Sequence, residues 1–209
     1  MKRTLSILSL VLIMATQSVK AQEYSKGDWG LGPVIGISAS TDFKDFDNIS
    51  LSGNIGLYGD YAFTDLIKGI VETKYEYRFN FDRHFQYLNV PALVAFQLGS
   101  GYIALGAQYS ICLATPKTYI VSSNTSFNYP SALLEFSYRS LLGGGGNSYY
   151  YGEGRYRNTI RLGYALMPIK YLAENKVANS NPFFIEFLIR FNLGKYFGKN
   201  TAKDRVRRR

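Results

Sequence analysis

Residues 183–193 read Phe-Phe-Ile-Glu-Phe-Leu-Ile-Arg-Phe-Asn-Leu. Every odd position (Phe183, Ile185, Phe187, Ile189, Phe191 and Leu193) is apolar, while Glu186, Arg190 and Asn192 fall on even positions. Side chains alternate faces along a strand, so the stretch has one wholly apolar face and one charged face. A tilted strand needs roughly nine to eleven residues to cross the hydrocarbon core of a bilayer. A bulky apolar face opposite a charged one suits a strand with lipid outside and a polar lumen inside. The stretch predicts the closing strand of an outer-membrane β-barrel.

The same alternation recurs upstream. A first strand is expected over 27–40, with Trp29, Leu31, Ile35 and Ile37 outward and Gly30, Gly32, Gly36 and Ser38 inward. Residues 41–48 read as a polar surface loop. A second strand over 49–63 sets Ile49, Leu51, Ile55, Leu57, Tyr61 and Phe63 against Ser50, Ser52, Asn54, Gly56, Tyr58 and Asp60. After a turn at 64–66, a third strand over 67–81 places Val71, Tyr75, Tyr77, Phe79 and Phe81 outward. Its other face carries Glu72, Lys74, Glu76 and Arg78. Four successive charges at period two do not fit a dry core; they fit a barrel lumen or the solvated face of a soluble sheet.

A fourth strand over 86–98 turns Leu88, Val90, Ala92, Val94 and Phe96 outward, with Pro91 predicting a bulge because proline cannot donate to a ladder. After a Gly99-Ser100-Gly101 turn, a fifth over 102–113 turns Gly106, Gln108 and Cys112 inward. Residues 114–130 read as a long outer loop, with 119–121 extending a strand beyond the membrane. A sixth strand over 131–141 sets Ala132, Leu134, Phe136 and Tyr138 against Glu135 and Arg139. The glycine run 143–146 with Asn147 reads as a flexible connection, and it is not a phosphate loop, since no Gly-Lys-Ser/Thr follows. A seventh strand over 155–166 sets Ile160, Leu162, Tyr164 and Leu166 against Arg157, Arg161 and Gly163. A loop over 167–182 reaches the closing strand. The expected fold is all-β: an eight-stranded antiparallel up-and-down transmembrane β-barrel.

The chain ends frame this barrel. Met1-Lys2-Arg3, an apolar run over 5–15 and Val19-Lys20-Ala21 have the three parts of a signal peptide, 1–21. The barrel is expected over 22–197 and a basic tail over 198–209. The formal charge of +9 falls to +6 once Lys2, Arg3 and Lys20 are removed with the signal. Residues 195–209 carry seven bases against Asp204, also +6, so the barrel itself is balanced. That balance, with export, excludes nucleic acid as a partner. The tail reads as a solvated end or a contact for anionic head groups or an acidic partner. Cys112 is alone, so no internal disulfide is expected. Tyr and Phe together number 32, a load that suits interfacial girdles.

The expected inward charges are Asp60, Glu72, Glu76, Glu135 and Glu186, with Lys74, Arg78, Arg139, Arg157, Arg161 and Arg190. An eight-stranded barrel is just wide enough for side chains to fill it, so these residues predict a salt-bridge network plugging the lumen. No cofactor or metal is expected, because His84 is the single histidine. No nucleophile–base spacing is visible, so no enzyme activity is expected; a hydrolase built on His84 and Asp82 ranks third, behind a narrow porin-like channel.

Tyr87-Leu88-Asn89-Val90-Pro91-Ala92-Leu93, followed by Leu105-Gly106-Ala107, resembles the Tyr-Leu-x-Ile/Val-Pro-Leu-Leu signature of the PorT-like (OmpX-like) outer-membrane barrel proteins of Bacteroidota. Ala92 and Ala95 stand where that pattern usually has bulkier or basic residues, and no functional residue carries over. The resemblance implies a small exported barrel in the outer membrane; the even strand count is what is expected to keep both termini in the periplasm. Its namesake belongs to the type IX secretion machinery, which implies a structural or accessory role beside an envelope protein complex, with outer-membrane lipid as the other partner.

Overall fold

A computed structural model describes residues 26–42, 45–80, 83–98, 101–114, 127–139, 156–173 and 176–193. The strands are β1 (Trp29–Asp42), β2 (Asp45–Ala62), β3 (Ile67–Asn80), β4 (Arg83–Leu98), β5 (Gly101–Ala114), β6 (Tyr129–Arg139), β7 (Tyr156–Ala165), β8 (Ile169–Ala173), β9 (Lys176–Ser180) and β10 (Pro182–Phe191). Eight close into an antiparallel barrel in the ring order β1-β10-β7-β6-β5-β4-β3-β2, while β8 and β9 form a separate two-stranded sheet. The barrel is up-and-down, with the β8–β9 hairpin inserted between its last two strands. The expected signal peptide, the basic tail, 119–121 and 143–147 lie outside the described residues.

Alternation sets the two faces. Ile37 is 66% exposed and Leu57 61%, whereas Lys74, Glu135 and Arg161 are fully buried. The apolar side chains point away from the barrel and the charged ones into it, the reverse of a water-soluble protein. The small apolar clusters inside are fitted between polar groups: Ile70, Leu93 and Phe184 in one, and Val34, Tyr58 and Leu188 in another. Gly163 makes room for one of them, since a Cβ there would stand 2.0 Å from the Phe184 ring.

Register fixes the geometry. One row of paired residues runs Arg139, Arg157, Arg190, Val34, Gly56, Lys74, Asn89, Ser110 and Tyr129. It starts on β6 and returns to β6 ten residues displaced. With a rise of about 3.3 Å per residue and strands about 4.8 Å apart, a shear of ten over eight strands tilts them by about 41°.

Both the start of β1 and the end of β10 lie at one end of the barrel, here the near end. There Gly27, with φ of 85°, donates its N–H to Ala62 O at 2.8 Å. The tight turn from β2 to β3 is held by Thr64 Oγ1, which accepts from the N–H of Ile67 at 2.9 Å. At the far end Phe85, Tyr87, Phe127 and Tyr129 cluster across the lumen.

Several expectations are corrected. β2 starts at Asp45, inside the expected 41–48 loop, and residues 43–44 lie outside the described set. No bulge forms at Pro91: β4 keeps one register with β3 on either side of residues 90–91, where the ladder lapses. Pro91 itself pairs in register with Gln108. The register shift falls between Gln86 and Tyr87 instead. A lapse confined to one neighbour leaves the other ladder in place. The expected 167–182 loop contains the β8–β9 hairpin. β10 ends at Phe191, short of the expected boundary, although Leu193 still donates its N–H to Leu31 O at 2.8 Å.

Candidate functional site: the charged lumen

The centre of the barrel holds three carboxylates and three cations. Glu72 and Lys74 come from β3, Glu135 from β6, Arg161 from β7, and Glu186 and Arg190 from β10. Every one sits on the inward parity of its strand. Arg161 donates from Nε to Glu135 Oε2 at 2.8 Å, from Nη1 to Glu186 Oε2 at 3.1 Å and from Nη2 to Glu72 Oε2 at 3.0 Å. Arg190 donates from Nε to Glu72 Oε1 at 2.6 Å and from Nη1 to Glu135 Oε1 at 2.7 Å. Lys74 Nζ bonds both oxygens of Glu186, at 2.6 and 2.7 Å.

Charge therefore cancels within the cluster, and each carboxylate is met by more than one cation. Removing ions from water costs several kcal/mol each, and only dense pairing of this kind offsets it. β3 and β7 are four places apart in the ring of eight, which is the full diameter. The Arg161–Glu72 bond therefore spans the bore. Charged groups meet there from opposite walls and close it.

Two satellites flank this belt. Toward the far end, Arg78 Nε donates to Glu76 Oε1 at 2.9 Å, Asn89 Nδ2 donates to Glu76 Oε2 at 2.6 Å, and Arg78 Nη2 donates to Tyr129 OH at 3.0 Å. The Arg78 guanidinium lies 4.8 Å from the centre of the Tyr87 ring, within cation–π range. Toward the near end, Lys68 Nζ donates to Asp60 Oδ2 at 3.0 Å. Lys68 Nζ stands 4.1 Å and the Arg157 guanidinium 5.4 Å from the centre of the Tyr102 ring.

Of the eleven charged residues read as inward from the sequence, six make up the belt and Glu76, Arg78, Asp60 and Arg157 occupy the satellites. Arg139 is placed by register alone, opposite Arg157 on β7. Sequence reading passed over Lys68, Tyr102, Tyr129 and Asn89. Lys68 was within reach of the same logic, since it shares the even parity of Glu72 and Lys74 on β3. Tyr102 is different: its hydroxyl donates to Glu135 Oε1 at 2.8 Å and contacts Arg190 Nη1, and nothing in a lone tyrosine signals such a partner.

His84 is the second residue of β4, exposed and stacked on Tyr77 with ring centroids 5.8 Å apart. Asp82 lies outside the described residues. Among the described residues, no group of three His, Cys, Asp or Glu is disposed to hold a metal ion. No protein-family model matches the chain, and no curated protein matches it either.

Proposed function

We propose that this protein is an outer-membrane β-barrel with a sealed bore, serving as a structural or accessory component of the cell envelope. The exterior supports the membrane setting. Exposed aromatics ring it at two levels, Trp29, Tyr61, Phe63, Phe96 and Tyr138 toward the near end and Tyr77, Phe79, Tyr109 and Tyr164 toward the far end, with aliphatic side chains such as Ile55 and Leu105 between. Girdles of this kind flank the apolar band of membrane barrels. The shortest barrel strands, β7 and β10, have ten residues each, and at a tilt of about 41° ten residues rise about 25 Å, the height of that band. An even strand count puts both chain ends on one side, which in this reading is the periplasm.

The observation that carries the sealed bore is the Arg161–Glu72 bond across the diameter. A channel needs a continuous aqueous path, and a fully buried ion cluster spanning the lumen interrupts it. The unmodified protein should migrate as a heat-modifiable folded barrel and give no steady conductance in planar bilayers. Reproducible single-channel steps would overturn the sealed bore and favour a porin. The PorT-like signature supports placing the protein beside a secretion or assembly complex. Co-purification of envelope proteins from gently solubilised outer membrane is the expected result, and isolation of the barrel alone under those conditions would argue against that placement.

A further inference from the structure

The wall made by β4, β5 and β6 carries a different kind of polar group. Gln108 on β5 stands directly opposite Ser131 on β6, and Ser110 stands between Asn89 on β4 and Tyr129 on β6. Asn89, Ser110 and Ser131 are fully buried and Gln108 is 3% exposed. Three oxygens here, Asn89 Oδ1, Gln108 Oε1 and Ser131 Oγ, meet no hydrogen-bond donor among the described residues. The Asn89 amide has one orientation available: its Nδ2 donates to the Glu76 carboxylate, so Oδ1 points away from it. Gln108 Nε2 donates to Ser110 Oγ at 3.1 Å; a hydroxyl also donates, so reversing this amide only exchanges which of its two polar atoms faces the wall. Buried acceptors without donors destabilise a fold, and natural structures satisfy them with protein groups or ordered water.

Position and charge select the donor. Directly opposed residues have Cβ atoms about 5 Å apart, so polar groups on Gln108 and Ser131 are near enough to share one hydrogen-bonding molecule. The formal charges next to this wall are already matched, Glu76 with Arg78, and Lys74, the β3 neighbour of Asn89, with Glu186. A cation here would face Lys74 and Arg78 and find every nearby carboxylate engaged. An uncharged molecule with two donors meets no such opposition.

We propose that the β4–β5–β6 wall is a built binding site for a small uncharged hydrogen-bond donor, and that the molecule is water. One water donates to Gln108 Oε1 and Ser131 Oγ, and a second donates to Asn89 Oδ1 in the row that also contains Ser110. Buried waters make about three hydrogen bonds each, and this cluster of hydroxyls and amides supplies that number of partners. The plug inside the barrel is then dry at the ion belt and wet beside it, and this holds whether or not the barrel sits in an outer membrane.

The test uses the full chain in detergent micelles. Nuclear Overhauser and rotating-frame cross-peaks between water and the side-chain NH2 groups of Asn89 and Gln108 should show long-lived contact. Absence of water cross-peaks on both amides would overturn the site. Ser131→Ala removes one oxygen that has no partner among the described residues and disturbs little else. It should lower the melting midpoint by about 2–6 °C, because the bridging water loses a partner. An unchanged or raised midpoint is the result for an oxygen that nothing meets, and would overturn the bridge. A midpoint raised by sodium or potassium over choline at equal ionic strength would replace water with a cation. If Ser131→Ala fails to fold, the cross-peaks of the unmodified chain still decide.

Discussion

β3 and β5 flank the same strand, β4, yet they line the lumen with opposite materials. β3 turns Lys68, Glu72, Lys74, Glu76 and Arg78 inward, and β5 turns Tyr102, Ala104, Gly106, Gln108, Ser110 and Cys112 inward, with no formal charge. The row Glu135, Ala104, Ala95, Lys68 shows why. In a bore of fixed width, side chains long enough to meet across the middle need short neighbours beside them. Ala95 and Ala104 on β4 and β5 pack in one cluster with Tyr102, whose hydroxyl reaches the belt at Glu135. Charge on one wall and smallness on the other are one packing solution, because interiors tolerate neither voids nor overlap.

The contrast is broken most strongly at the charged wall. Glu72→Ala leaves Arg161, Arg190 and Lys74 with two carboxylates, and removing one partner from a buried ion cluster costs about 3–5 kcal/mol. Urea titration of the barrel in detergent, followed by the gel shift, should show this as the largest loss. A cost no greater than that of the β5 changes below would mean that the walls do not differ in this way.

Charge on the outside of β5 should rank next. Leu105 is 56% exposed on the outer face, and Leu105→Arg should destabilise the barrel in lipid by about 2–4 kcal/mol if that face lies near the bilayer midplane. The same variant tolerated in lipid would contradict the proposed membrane setting. Gly106→Ala probes the small wall from within. Its Cβ would stand 2.1 Å from Ala92 O, a backbone atom that cannot swing aside, so a loss of about 1–3 kcal/mol is expected in the same titration. Cys112→Ser should be mildest, under about 1 kcal/mol, because the thiol is only half-buried and the change is nearly isosteric.

Period-two alternation made the faces legible, because a strand offers each residue only two directions and polarity names the direction. That sufficed for Ile189 outward and Arg190 inward on β10, and for Glu72 and Arg161 as lumen residues. It did not show that those two touch. Their meeting depends on the ring order and on the shear, which belong to the closed sheet rather than to either strand. The β8–β9 hairpin was illegible for another reason: five-residue strands offer too short a run for alternation to stand out. Pro91 was misread because a missing N–H can be absorbed by a local lapse in one ladder while the other holds its register.

The closing pair β1–β10 has a kinetic meaning. β10 brings Glu186 and Arg190, two of the six belt charges, and it pairs with the strand farthest from it in sequence. A sheet built from β1 to β7 would already carry Glu72, Lys74, Glu135 and Arg161 with their partners incomplete. It would have nowhere dry to put them until the last strand arrived. Bringing distant segments together before any reward is slow, and here the electrostatic reward also comes at that final step. Closure and neutralisation of the lumen are thus one event. A partly assembled sheet has reason to keep its polar face in water, and only the finished ring can hide it.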